Sequence, residues 1–291
     1  MQTSMKSSLL LISVLTLTLL VSCTDHEPTD PLDRLRVKSM TRSTPFDDIK
    51  GLKEVNTFTY DSENRLVSIL SYQTPDSTAA LIGRTTYEYD LENRVSIVKR
   101  SIKPLGFEAY KYTYDSDGKV ATLDYDAGNF DTYHITYKYS GNTLESSLRK
   151  FDFNSSIRFT CEESYLFTGQ NLSKVNRVRT IEKVTSSVTE NSLTFTYDNK
   201  KNPFYGVYVV PFSNLPARPT NGDFFSYYTY YGGYDNFLTF SPANVLSQFN
   251  SSNDQTYYEY QYNDAGFPTR RISKNRRFLI VDTILFEYEK Y

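Results

Sequence analysis

Tryptophan is absent from the 291 residues, cysteine and histidine occur twice each, and methionine three times. Two cysteines cannot build the disulfide framework of a small secreted scaffold, and no paired-cysteine spacing of the zinc-holding kind occurs. His134 stands alone in Tyr133-His134-Ile135, with no HxxxH or HExxH spacing, which excludes a histidine-based metal site. Neither a Gly-x-Ser-x-Gly elbow nor a glycine-rich phosphate loop is present, so no recognisable nucleophilic or nucleotide chemistry is written into the chain. Positive charge is not in excess: the formal net charge is −2 at pH 7, whereas a nucleic-acid partner calls for a strongly basic face. Long apolar runs are missing apart from Leu9–Leu20, which is too short for a comfortable membrane helix. No long stretch shows a helical period.

What is present is aromatic residues in a repeat. Tyrosine (26) outnumbers phenylalanine (19). The clearest copies of the repeat are Tyr60-Asp61-Ser62-Glu63-Asn64-Arg65-Leu66, Tyr89-Asp90-Leu91-Glu92-Asn93-Arg94-Val95 and Tyr114-Asp115-Ser116-Asp117-Gly118-Lys119-Val120. Looser copies start at Tyr139, Phe167, Tyr197 and Tyr262. Before each of them apolar and polar residues alternate, as in Tyr110-Lys111-Tyr112-Thr113-Tyr114, and a period of two puts the rings on one face of a strand. Asp61, Asp90 and Asp115 suit turns because their carboxylates accept bonds from nearby backbone N–H groups. Asn64, Asn93 and Gly118 tolerate the left-handed backbone that closes such turns. The anchors at 60, 89, 114, 139, 167 and 197 leave room for two strands and two turns per unit. This predicts an all-β, water-soluble antiparallel meander of repeated hairpins, with roughly fourteen to eighteen strands, curled strongly or closed wholly or partly into a barrel.

The N-terminus reads as a leader, with Lys6 ahead of the apolar stretch. Leu20-Val21-Ser22-Cys23 resembles the lipobox of bacterial lipoproteins, which implies removal of residues 1–22, acylation of Cys23 and attachment to a membrane through that anchor. Cys161 is then the only remaining thiol. Residues 23–50, rich in Asp, Glu and Pro, are expected to be a flexible tether, and 51–291 a single β-repeat domain with an irregular insertion at about 202–240. Asp25 and Glu27 resemble the surface-export signal of lipoproteins from gut anaerobes, which implies the cell surface rather than a periplasm-facing anchor. The Tyr-Asp repeat resembles the YD repeats of Rhs-type shell proteins. With the lipobox, the chain over about 52–291 resembles gut-bacterial lipoproteins of unknown function with a porin-like β-fold. That resemblance implies no reaction, no cofactor and no catalytic residues. It does not imply a spanning barrel, because Tyr291 is in phase with Glu289 and Glu287, which would face lipid.

The insertion breaks the repeat with Pro203, Pro211, Pro216 and Pro219, so Pro211–Gly222 at least should be a loop. Its rings can fold over one end of the sheet as a plug. Alternatively, Phe204, Tyr205, Phe212, Phe224, Phe225, Tyr227, Tyr228, Tyr230, Tyr231 and Tyr234 form an exposed platform for sugar rings or a protein. Arg270, Arg271, Lys274, Arg276 and Arg277 read as solvated turn charge. Asp76-Ser77-Thr78 and Asp282-Thr283-Ile284 resemble an O-glycosylation acceptor, credible only at Ser77 because Thr283 falls in a strand. The function expected from these features is a non-enzymatic envelope lipoprotein that binds a glycan, small amphiphile or protein. The alternative is an accessory subunit docking an outer-membrane protein.

Overall fold

The computed structural model describes residues 35–75, 83–102, 106–126, 132–154, 157–182, 187–206, 237–251 and 254–291. Among the described residues sixteen strands follow one another: β1 Leu35–Ser43, β2 Lys53–Tyr60, β3 Leu66–Thr74, β4 Gly83–Tyr89, β5 Val95–Ile102, β6 Gly106–Tyr114, β7 Val120–Asp126 and β8 Thr132–Ser140 form the first half. The second half is β9 Thr143–Asn154, β10 Ile157–Thr168, β11 Asn171–Glu182, β12 Ser187–Lys201, β13 Ala243–Asn250, β14 Gln255–Tyr262, β15 Pro268–Asn275 and β16 Ile280–Lys290. A short helix, α1 Pro45–Lys50, joins β1 to β2. Each strand pairs antiparallel with its sequence neighbour, and β1 also pairs with β16, so the meander closes into a barrel. The all-β architecture and the strand number agree with the repeat count.

The Tyr-Asp repeat explains the closure locally. Asp61 Oδ1 accepts bonds from the N–H groups of Glu63 and Arg65, both at 2.9 Å, while Oδ2 accepts one from Arg65 Nε at 2.8 Å. Asp90 repeats all three contacts, and Asp115 the two from the backbone. Asn64, Asn93 and Gly118 have φ of 64°, 62° and 77°, the left-handed position that follows a type I turn in a bulged hairpin. In five copies the tyrosine hydroxyl reaches back to the preceding strand or hairpin. Tyr60 Oη donates to the Val37 carbonyl, Tyr89 to Leu66, Tyr114 to Val95, Tyr139 to Val120 and Tyr197 to Leu172, over 2.6 to 3.0 Å. Tyr288 to Pro268 continues the series at 2.7 Å. Arg36, Arg65, Arg94 and Lys119 lie over the rings of Tyr60, Tyr89, Tyr114 and Tyr139 at 4.2 to 5.7 Å. These hairpins are thus latched to the one before by a hydroxyl, and those of Tyr60, Tyr89, Tyr114 and Tyr139 are also covered from it by a cation.

Inward side chains form layers. Toward the Tyr-Asp turns lie apolar residues such as Phe58, Ile69, Val98, Leu123, Ile135, Val175 and Ile284, all buried. Toward the α1 end the inward positions turn polar: Arg42, Glu54, Arg100, Glu108, Arg149, Glu163, Arg177, Arg271 and Asp282. Outward, mid-strand positions carry exposed Glu88, Lys99, Lys111, Asp124, Lys138, Lys150 and Glu162. Glu287 also faces out, as its phase with Tyr291 indicated.

Two expectations need correction. The stretch 23–50 is not tether throughout, because Leu35–Ser43 is the strand that closes the barrel. Val37 and Met40 are both almost wholly buried, and a register shift between Val37 and Ser39 brings these two residues, three apart, to the same side. That shift breaks the period-two signal on which a strand is recognised. Arg271 is not solvated turn charge either: it points inward, 7% exposed, beside Asp282. The repeat's break after Tyr197, by contrast, does not interrupt the meander, since β12 pairs directly with β13 across the insertion.

Burial pushes the latch phenols of Tyr60, Tyr197 and Tyr288 up, Tyr197 to about 12. A phenol whose folded value is raised contributes stability fully below its unfolded value near 10 and loses it as pH rises through the folded value. Native protein should therefore lose stability between about pH 10 and 12. Phenolate absorbance at these rings should lag behind that of the denatured chain. Tyr89→Phe should cost about 1 kcal/mol in urea unfolding, because the Leu66 carbonyl loses its donor.

Candidate functional site

The insertion replaces the turn between β12 and β13, and its described ends meet at the turn end of the barrel. Asn202 holds them together: its Nδ2 donates to the carbonyls of Leu238 (2.6 Å) and Ser241 (2.9 Å), and its Oδ1 accepts from the N–H of Phe204 (3.0 Å). Its backbone N–H donates to the Pro242 carbonyl, and that of Gly206 to Thr239. Proline at 203 is compatible with this bend because it needs no donor there.

From this base the rings turn inward. Phe204 lies 6.2 Å from Phe58 and 6.1 Å from Phe286. Phe237 opens a 3-10 turn, Phe237–Thr239, and packs 5.8 Å from both Phe195 and Phe240, while Phe240 sits edge-on to Tyr165. Ser241, wholly buried, accepts the N–H of Leu172 on the far side of β12. Behind Phe204 a cavity of about 30 Å³ is lined by Met40, Asn202, Asn244, Tyr260 and Arg271 among others. That holds a water or two, not an organic ligand, which needs some hundreds of Å³.

Asp198 is the polar hub beside the base. It accepts bonds from the N–H groups of Lys200 (2.9 Å) and Asn244 (3.0 Å) and from the Tyr262 hydroxyl. Burial, and then the carboxylate of Asp198, push the Tyr262 phenol upward, so it stays a donor. The aspartate of this repeat copy therefore works as in the other copies, as a former of backbone geometry.

The α1 half of the interior is a belt of ion pairs. Glu163 takes two bonds from the Arg177 guanidinium, at 2.5 Å, and one from Tyr165 Oη at 2.8 Å. Burial alone would raise its pKa, but Arg177 and Arg149 more than offset this and hold it below the usual carboxylate range. Asp282 is held down in the same way, burial being outweighed by Arg271, Ser273 and Arg42. Glu108 goes the other way: burial raises it, Arg100 and the hydroxyl of Tyr110 only partly compensating. Between Glu108 and Arg149 the rings of Tyr110, Tyr125 and Tyr133 form a ladder with centroids 5.0 and 4.5 Å apart, closed by Arg149 over Tyr133 at 5.1 Å. The acids here bind cations and hydroxyls of the wall itself, an arrangement that fastens strands together.

Of the residues picked from sequence, Phe204 is buried in the core and Tyr205 is 55% exposed, so these neighbours do not share a surface. Phe212, Phe224, Phe225, Tyr227, Tyr228, Tyr230, Tyr231 and Tyr234 lie outside the described residues, as do Cys23 and Ser77. Thr283 is in β16, and its neighbour Asp282 points inward. His134 faces outward and meets Asp124 at 2.6 Å, and Cys161 is buried. Among the described residues no group of three or more His, Cys, Asp or Glu is placed to hold a metal ion. Sequence reasoning missed the ion-pair belt. The signal was there: Glu108, Glu163 and Arg177 are in phase with Tyr110, Tyr165 and Val175, the ring face of their strands.

The described residues thus form a closed antiparallel barrel of sixteen strands that is polar at the middle of its outer face. Solved structures that share this fold include two porin-like proteins. A porin-like protein from Bacteroides uniformis superposes with a TM-score of 0.52 at 17% identity, over 87% of this chain and 96% of its own. A porin-like protein from Bacteroides vulgatus gives 0.51 at 15%, over 87% and 98%. At such identities the likeness is one of fold. Neither a protein-family model nor a curated protein matches the chain.

Glu163→Gln should destabilise the barrel by about 3–5 kcal/mol in denaturant unfolding, because Arg177 is left buried without its carboxylate. The stability that Glu163 and Asp282 contribute is present above their unfolded values near 4 and lost as pH falls through their lowered folded values. The unfolding midpoint should therefore drop steeply below about pH 4, and less so in Glu163→Gln. Phe204→Ala should cost about 3–5 kcal/mol, whereas Tyr205→Ala should leave the melting curve unchanged.

Proposed function

We propose that the chain is an envelope lipoprotein, anchored through an acylated Cys23, whose barrel carries a non-enzymatic binding module for a glycan, small amphiphile or protein. The observation that supports this most is the inverted polarity of the wall. A barrel in lipid turns its apolar band outward, and a lysine at the midplane of that band costs about 2–4 kcal/mol. Here Lys99, Lys111, Lys138 and Lys150 are the outward residues and the rings are inside. The inward side chains of the core are buried against one another, which suits a support, and the insertion is the segment at which the wall departs from its repeat. Its exposed, described ring is Tyr205. Rings of this kind stack on sugar faces or partner surfaces at small entropic cost.

The outer membrane fits this reading, with the barrel on the cell surface in view of Asp25 and Glu27 close behind Cys23. In the native host, Cys23→Ala should move the protein out of the membrane fraction, and protease added to intact cells should cleave the parent. Saturable quenching of tyrosine fluorescence by soluble envelope or dietary glycan fragments should be weakened roughly tenfold by Tyr205→Ala and Phe225→Ala together. Quenching that is absent, or indifferent to both changes, counts against the module.

A further inference from the structure

A closed barrel has no free sheet edge to offer, so a docking surface has to be made of side chains. Exposed Leu70, Leu91, Phe107, Leu166 and Val188 are scattered singly over β3, the β4–β5 turn, β6, β10 and β12, which is ordinary for a protein surface. Phe46, Ile49, Phe278, Leu279, Ile280 and Val281 are different. All are 44% to 85% exposed, and all belong to the α1 end, on α1 itself or on the β15–β16 turn and the start of β16. α1 packs against β1 and β16, which brings the two groups side by side.

Within α1, Phe46, Ile49 and Lys50 follow i, i+3, i+4 spacing and share a face, with Lys50 Nζ 4.2 Å from the Phe46 ring centroid. The same spacing sends Asp48 to the other side. On the β15–β16 turn the bonding copies the Tyr-Asp turns: Asn275 N–H donates to the Leu279 carbonyl, Phe278 N–H to the Asn275 carbonyl, and Asn275 Oδ1 accepts from Arg277 and Leu279. The left-handed residue, which is Asn64, Asn93 or Gly118 in those turns, is here Phe278 with φ of 58°. A bulky side chain is a rare and costly choice at that position. Its ring is steadied by stacking on Tyr257 at 4.8 Å, yet remains 63% exposed. Backbone strain accepted in order to hold a phenylalanine in solvent points to use of that ring. Around it, Lys50, Arg276 and Arg277 are exposed cations.

We propose that the α1 end of the barrel docks on an anionic lipid bilayer, with Phe46, Ile49, Phe278 and Leu279 entering the headgroup layer and Lys50, Arg276 and Arg277 meeting lipid phosphates. An apolar knob inside a basic collar is the pattern by which proteins lie on negatively charged membranes. The surface acts without the acyl anchor.

The test uses the full chain with Cys23→Ala, so that no lipid contributes, and sedimentation with vesicles. Vesicles of phosphatidylcholine mixed with phosphatidylglycerol should bind it, pure phosphatidylcholine vesicles should bind it roughly tenfold less, and salt should release it. Phe278→Asn with Ile49→Ser should weaken binding at least roughly tenfold while leaving the melting temperature equal or higher, since asparagine relieves the turn. Failure to sediment with anionic vesicles overturns the proposal, as does binding unchanged in that variant. A concentration-dependent dimer that Phe278→Asn dissolves assigns the surface to self-association and overturns it too.

Discussion

The phenol hydroxyl at the end of a strand, donated to the carbonyl that opens the return strand of the preceding hairpin, is the contact on which the barrel's order rests. It is local in effect: Tyr89 reads the position of Leu66, Tyr114 that of Val95. Because each unit contacts only its neighbours in this way, the wall behaves as a linear array whose stability is a sum of unit and interface terms. The array ends on itself. Tyr60 makes the same bond to Val37 on β1, and β1 pairs with β16, so the first and last strands use the same chemistry as the middle ones. Closure removes the two edges that an array of this length would otherwise present to other chains.

Inside, two different solutions fill the space that sixteen strands enclose. Near the turns, rings and branched aliphatics meet the inward rings of the insertion's base, Phe204 and Phe237. Near α1, the wall is tied by buried arginine and carboxylate pairs. Such pairs contribute little net stability against an apolar core of equal volume, but a missing partner is costly. They therefore discriminate between registers: a slip of one residue would turn Glu163 outward and leave Arg177 buried without it. The polar belt and the apolar layer thus divide the labour between specificity and cohesion.

How far the sequence could be read depended on whether its signal was periodic. The rings of Tyr110 and Tyr112 and the turns at Asp61, Asp90 and Asp115 were legible because an alternation of two and a left-handed asparagine or glycine have a local cause. β1 was not, since its bulge moves Val37 and Met40 out of phase and one of its partners, β16, lies at the other end of the chain. Arg271 was misread because a charge between two strands looks alike whether it faces water or Asp282. For the insertion, residue types announced that rings were present, but only the tertiary packing separated Phe204, which packs on Phe58 and Phe286, from Tyr205, which faces solvent.

By itself, then, the sequence determined the hairpin, its turn, its face of rings and the number of times it recurs, because each of these follows from interactions within a few residues or between adjoining units. The tertiary structure alone decided that the array closes, which charges lie inside it, and which end carries an exposed phenylalanine on a strained turn. These depend on residues far apart in the chain arriving at one place, and nothing in a local pattern encodes the distance between them.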